Sequence, residues 1–84
     1  MHEATIARYA FDIINETIEN LPSLKGKKVK KIIFGNGKPY TVMVESFELY
    51  FLELIKGTKL EGARLEYERS EQIGFFVSTI EVEE

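Results

Sequence analysis

The chain opens Met1-His2-Glu3, and His2 is its only histidine. A free α-amine on Met1, the backbone amide nitrogens that follow it and the His2 imidazole form a compact set of nitrogen donors for one divalent ion. Planar or tetragonal nitrogen coordination favours Ni(II) or Cu(II) over Zn(II) or Mg(II). These donors must lose protons to bind, so such a site weakens as pH falls through the histidine range, nominally about 6.5. The competing reading is that a residue beside a chain end is disordered and its identity incidental. On spacing alone that reading weighs more, because so short a motif arises often by chance.

Other groupings carry less chemistry. Lys25, Lys27, Lys28, Lys30 and Lys31 form a basic cluster that could grip a phosphate or an acidic partner. No aromatic is interleaved among them to stack a base. The reading that weighs more is that they solubilise a loop and keep an edge strand from pairing with other chains. Gly35-Asn36-Gly37-Lys38 lacks the spacing and the Lys-Ser/Thr pair of a phosphate loop and reads as a turn. Glu16 and Glu19, with Glu81, Glu83 and Glu84 at the other end, read as solvated faces and tail rather than paired acids in a pocket. A histidine at a terminus is not the buried, oriented base of a catalytic triad. With no nucleophile–base pair and no cofactor loop, the expectation is that the protein is not an enzyme.

The totals agree with a small binding protein. The chain has 84 residues, 44% of them hydrophobic, enough for one modest core. Six Phe and four Tyr supply much of it, and there is no Trp. The absence of cysteine removes disulfides, thiolate zinc sites, iron–sulfur clusters and cysteine nucleophiles together. A net charge of −3 argues against a mainly electrostatic nucleic-acid binder. No signal peptide and no bilayer-spanning apolar run is visible, so the expected location is the cytoplasm, off the membrane.

The elements that must position the amino terminus follow from periodicity. Ala4 to about Asn20 reads as a helix, with Ile6, Ala10, Ile13, Ile14, Ile18 and Leu21 along one stripe. Glu3 stands at its start, where a negative charge suits the helix dipole. Pro22, Ser23 and Gly26 then break the chain. Val29–Phe34 reads as a short strand, and Gly35–Pro39 as a turn. A second helix runs from Val42 or Val44 to Lys56, with Val44, Phe47, Phe51, Leu54 and Ile55 on one face and Gly57 as its left-handed terminator. Ala63–Tyr67 alternates as a half-buried strand, Arg69–Gln72 makes a tight connection, and Ile73–Val82 returns antiparallel as the second arm of a hairpin. The order is α-β-α-β-β: an α+β domain over residues 1–84, two helices packed on a three-stranded mixed sheet.

With its segments placed, the chain resembles the HypA/HybF family of hydrogenase nickel-insertion accessory proteins. The residues that carry the resemblance are Met1-His2-Glu3-Ala4-Thr5-Ile6-Ala7-Arg8, Lys28-Val29-Lys30-Lys31, Phe51-Leu52-Glu53-Leu54, Gly57-Thr58-Lys59-Leu60-Glu61-Gly62-Ala63-Arg64-Leu65-Glu66 and Ser78-Thr79-Ile80-Glu81-Val82-Glu83. The resemblance implies a nickel-binding domain of two helices and a three-stranded sheet. It implies a metal site at the amino terminus built on His2 and Glu3. In the reading of the residues themselves, His2 supplies the imidazole, Met1 the amine and backbone amides near Glu3 complete the planar set, with the Glu3 carboxylate left to an axial or outer position. The resemblance also implies delivery of nickel to a hydrogenase large subunit or a urease, with a HypB-like GTPase as partner.

Three departures separate this chain from the family pattern. The zinc domain, with two Cys-x-x-Cys pairs between the last two strands, is missing: the chain passes from Glu68 to Ile73 through a few polar residues, and no zinc is expected. A Gly-Glu pair after the first strand reads Gly37-Lys38, and an Asp that precedes the second helix and approaches the nickel falls at Met43. Met43 neither caps a helix nor binds a hard ion well, so Thr41 is the expected cap of a slightly longer helix. Loss of the zinc domain is expected to uncover apolar surface around Phe75 and Phe76, a surface for forming a homo-oligomer. These departures motivate an alternative: a divergent protein-interaction module that keeps the fold and has lost metal delivery.

Overall fold

The computed structural model describes residues 2–84. Its elements are α1 (Glu3–Asn20), β1 (Val29–Lys38), α2 (Val44–Ile55), β2 (Arg64–Ile73) and β3 (Phe75–Val82). Both helices lie on one side of a mixed sheet, as the α-β-α-β-β order predicts. The β1-α2-β2 unit is the expected parallel crossover, with Ile32 opposite Leu65 and Phe34 opposite Tyr67.

The sheet order corrects the expected hairpin. The strands run β2-β1-β3, so β2 and β3 flank β1 and do not pair with each other. β3 runs antiparallel to β1, with Ile80 opposite Ile32 and Val77 opposite Phe34. Burial explains the choice. β1 carries the most apolar run, and a partner on each side satisfies both rows of its backbone donors and acceptors under the helices. A hairpin would leave that run at an edge. One consequence is that Lys30 and Lys31 lie on the central strand and guard no edge. Lys31 instead reaches Glu81 of β3 at 3.4 Å and Glu66 of β2 at 3.9 Å on the open face.

β1 also extends past the expected turn, through Gly35, Asn36, Gly37 and Lys38. The glycines there serve close approach. A Cβ on Gly37 would collide with the carbonyl oxygens of Gln72 and Gly74, which cross over it. A Cβ on Gly35 would enter the ring of Phe76, which lies across it from the paired strand. Gly74 alone joins β2 to β3, and two hydrogen bonds pin it to β1: its N–H donates to the Lys38 carbonyl, and its carbonyl accepts from Gly37, both at 2.9 Å. The turn proper is displaced to Pro39–Met43. Tyr40 there has φ +61°, a left-handed conformation that costs a non-glycine residue roughly 1 kcal/mol. Its side chain is anchored to β2, donating from the phenol to the Ser70 carbonyl at 3.0 Å and stacking under the Arg69 guanidinium at 4.0 Å.

The core sits between sheet and helices. Ala7, Ala10, Ile14 and Ile18 of α1 and Phe47, Phe51 and Ile55 of α2 are buried against Val29, Ile32 and Phe34. Phe34 is the centre: its ring meets Phe47 at 4.9 Å and Phe51 at 5.4 Å edge-on, and stacks on Tyr67 at 5.5 Å and Phe75 at 5.6 Å. The α1 stripe keeps the expected Ala10, Ile14 and Ile18 and differs at its edges. Ala7 is buried, whereas Ile13 and Leu21 remain 48% and 45% exposed. Gly57 ends α2 in the predicted left-handed conformation, φ +76°.

Candidate metal centre

His2 is the N-cap of α1, with extended backbone (φ −74°, ψ 136°), and Glu3 is the first helical residue. The His2 carbonyl accepts from the Thr5 and Ile6 amides, each at 3.1 Å, which locks the first turn. The amides at the N-cap and first helical positions have no acceptor within a helix. A metal ion can therefore replace the protons of the His2 and Glu3 amides without breaking a helical hydrogen bond. The His2 side chain is exposed, open to an incoming ion. Met1, the expected source of the amine, lies outside the described residues.

Glu3 is held from across the fold. Its Oε2 accepts from the Met43 amide at 3.1 Å, forty residues along the chain. Met43 is the N-cap of α2 and makes no side-chain cap bond. The expected Thr41 cap of a longer helix does not form: the helix starts at Val44, and a carboxylate from α1 accepts from the amide of its N-cap residue, where a negative charge suits the helix dipole. The Met43 amide, and after it Glu3's own amide, hold the Glu3 carboxyl below the usual carboxylate range. No local signal marks this contact in the sequence.

Several other carboxylates pair with lysines at the surface. Lys38 meets Glu71 at 2.9 Å and Lys59 meets Glu19 at 3.1 Å. Among the described residues, no three His, Cys, Asp or Glu side chains gather to hold an ion. A metal at this end would thus depend on backbone and terminal nitrogens with the one imidazole. Tyr67 donates its hydroxyl to Glu48 Oε1 at 2.8 Å, and burial first, then that bond, raises its pKa. The pair joins β2 to α2.

The apolar surface includes the expected Phe75 and Phe76. Phe75 packs against Phe34 and Phe47, and Phe76 covers Gly35, so both are half-buried. Both line a groove of about 330 Å³ between α1 and the β3 edge, with Ile6, Tyr9, Ile13 and Val42 among others. Tyr9 is 68% exposed, and Ile73, before the β2–β3 link, is 87% exposed. No helix among the described residues is long and apolar enough to cross a membrane.

No curated protein matches the chain. A family model does: the one described as hydrogenase/urease nickel incorporation, metallochaperone, HypA, over residues 1–75. That span takes in α1, β1, α2, β2 and the first residue of β3. It includes the amino-terminal tripeptide and stops short of the rest of the last strand. Where the family's zinc domain would be inserted, this chain has Gly74 alone between its strands, and it has no cysteine to build such a domain. The chain belongs to the HypA family of hydrogenase/urease nickel-incorporation metallochaperones, in a form without the zinc domain.

Proposed function

We propose that this chain is a cytoplasmic, non-enzymatic nickel carrier and that residues 1–84 act as one nickel-binding domain. The His2 imidazole, the Met1 amine and the amides of His2 and Glu3 form the donor set. Nickel is the cargo, passed on for hydrogenase or urease maturation, with a HypB-like GTPase and the hydrogenase large subunit as partners. The observation that carries this reading is the placement of His2 and Glu3 at the N-cap and first position of α1. Two amides there are free of helical partners, and a rigid helix fixes their spacing. Nitrogen donors in a planar set suit Ni(II) better than a hard oxygen-seeking ion.

The test is titration of Ni(II) into protein with an unblocked amino terminus, followed by absorption. Wild type is expected to give the visible band of planar nickel. His2→Ala is expected to lose at least tenfold in affinity, since an imidazole chelate ring is removed. Equal binding by His2→Ala would overturn the site.

A second reading, the divergent interaction module, is favoured by the apolar groove between α1 and β3 with Tyr9 and Ile13 on its rim. The two readings separate on one variant. A residue added before Met1 removes a site that uses the α-amine and leaves a groove-mediated interaction intact.

A further inference from the structure

The Glu3 carboxylate is the only described side-chain acceptor that reaches the N-terminal end of α2, and it does so from the first turn of the other helix. A ligand carboxylate would have to turn toward the ion. One oxygen of this carboxylate, Oε2, is already committed to the Met43 amide at 3.1 Å. We infer that Glu3 is a positioning residue: its side chain straps the first turn of α1 to the start of α2 and stays out of the metal's coordination sphere, while its backbone nitrogen serves as a donor.

The physical basis is preorganisation. Residues ahead of a first helical turn fray when nothing ties them down. A donor set drawn from a frayed terminus must be ordered as the ion binds, and that cost lowers affinity. His2 is held on one side by its carbonyl's bonds to Thr5 and Ile6, and the strap holds the next residue from the other side. The strap also gives the amide of Met43, the N-cap residue of α2, an acceptor, as the carboxylate of a capping box does for its own N-cap amide. The strap and the metal therefore support each other. Fixing the tripeptide favours binding, and a bound ion that fixes the Glu3 backbone favours the α2 contact by the same factor.

This inference rests on the tripeptide donor set proposed above, and three variants separate the two claims. Glu3→Ala removes the acceptor, Glu3→Gln keeps a carbonyl acceptor without the charge, and His2→Ala removes the imidazole. Ni(II) affinity, the visible nickel band and amide hydrogen exchange at Met43 are measured on each, with an unblocked terminus. Loss of a cap-type bond leads us to expect roughly fivefold weaker Ni(II) binding in Glu3→Ala and faster Met43 exchange by a similar factor, with the nickel band unmoved. Glu3→Gln is expected to lie between Glu3→Ala and wild type in both, again with the band unmoved. A shifted band in Glu3→Gln would make the carboxylate a ligand and overturn the inference. So would unchanged Met43 exchange in Glu3→Ala. If His2→Ala binds nickel like wild type, the donor set falls; the exchange result still decides by itself whether the strap exists.

Discussion

The aromatic centre and the amino-terminal corner of this protein are held in opposite ways. Phe34 is fully buried and meets four aromatic rings from three other elements, Phe47, Phe51, Tyr67 and Phe75. The corner rests on one exposed hydrogen bond, from the Met43 amide to Glu3, and on the first turn of α1. The centre carries the stability and is insensitive to any single polar contact. The corner contributes little to stability and has donors that are free to change partner. The proposed nickel carrier would need that division, because an ion must enter and leave without unsettling the fold.

Breaking the centre should give the largest effect. Phe34→Ala is expected to cost about 3–5 kcal/mol in denaturant unfolding, which is a large share of what a domain this size has. Gly37→Ala comes next, at roughly 1–3 kcal/mol, because the new methyl meets backbone carbonyls of the β2–β3 link that cannot rotate away. Tyr67→Phe removes the hydroxyl bonded to Glu48 and should cost about 1 kcal/mol. Tyr67 also sharpens the comparison through pH. Its folded pKa lies above the unfolded value of about 10, so its contribution is complete below that pH and fades as pH rises through the folded value. Ultraviolet titration should show one of the four tyrosines ionising well after the others, with stability falling in the same alkaline range. His2→Ala should be the smallest in stability, within about 0.5 kcal/mol, while causing the largest loss of nickel binding. A large stability loss in His2→Ala would erase the contrast between the two regions.

Much of this arrangement is legible in the residues alone. The apolar stripes of α1 and α2, Gly57 as terminator and the β-α-β crossover follow from periodicity and turn chemistry. The strand order does not. Two strands adjacent in sequence read as a hairpin, and only the burial of β1 between two partners explains why β3 crosses to its far side. Gly35-Asn36-Gly37 reads as a turn because glycine usually marks one; here it marks the passage of Phe76 and of the β2–β3 link over a strand. At the amino-terminal corner, a motif and a resemblance in the sequence point to Met1, His2 and Glu3 as candidate donors. The sequence is silent on the Glu3–Met43 bond, since capping rules look a few residues away and not forty.

The most direct measurement is a count of protons released per Ni(II) bound near neutral pH, by calorimetry in buffers of different ionisation enthalpy, on protein with an unblocked terminus. Coordination through the His2 and Glu3 amides must expel both amide protons, so the expected release is about two or more per ion, falling sharply when a residue is added before Met1. Release of less than one proton, or the same release with the terminus extended, would contradict a nickel site built on the backbone of the first three residues.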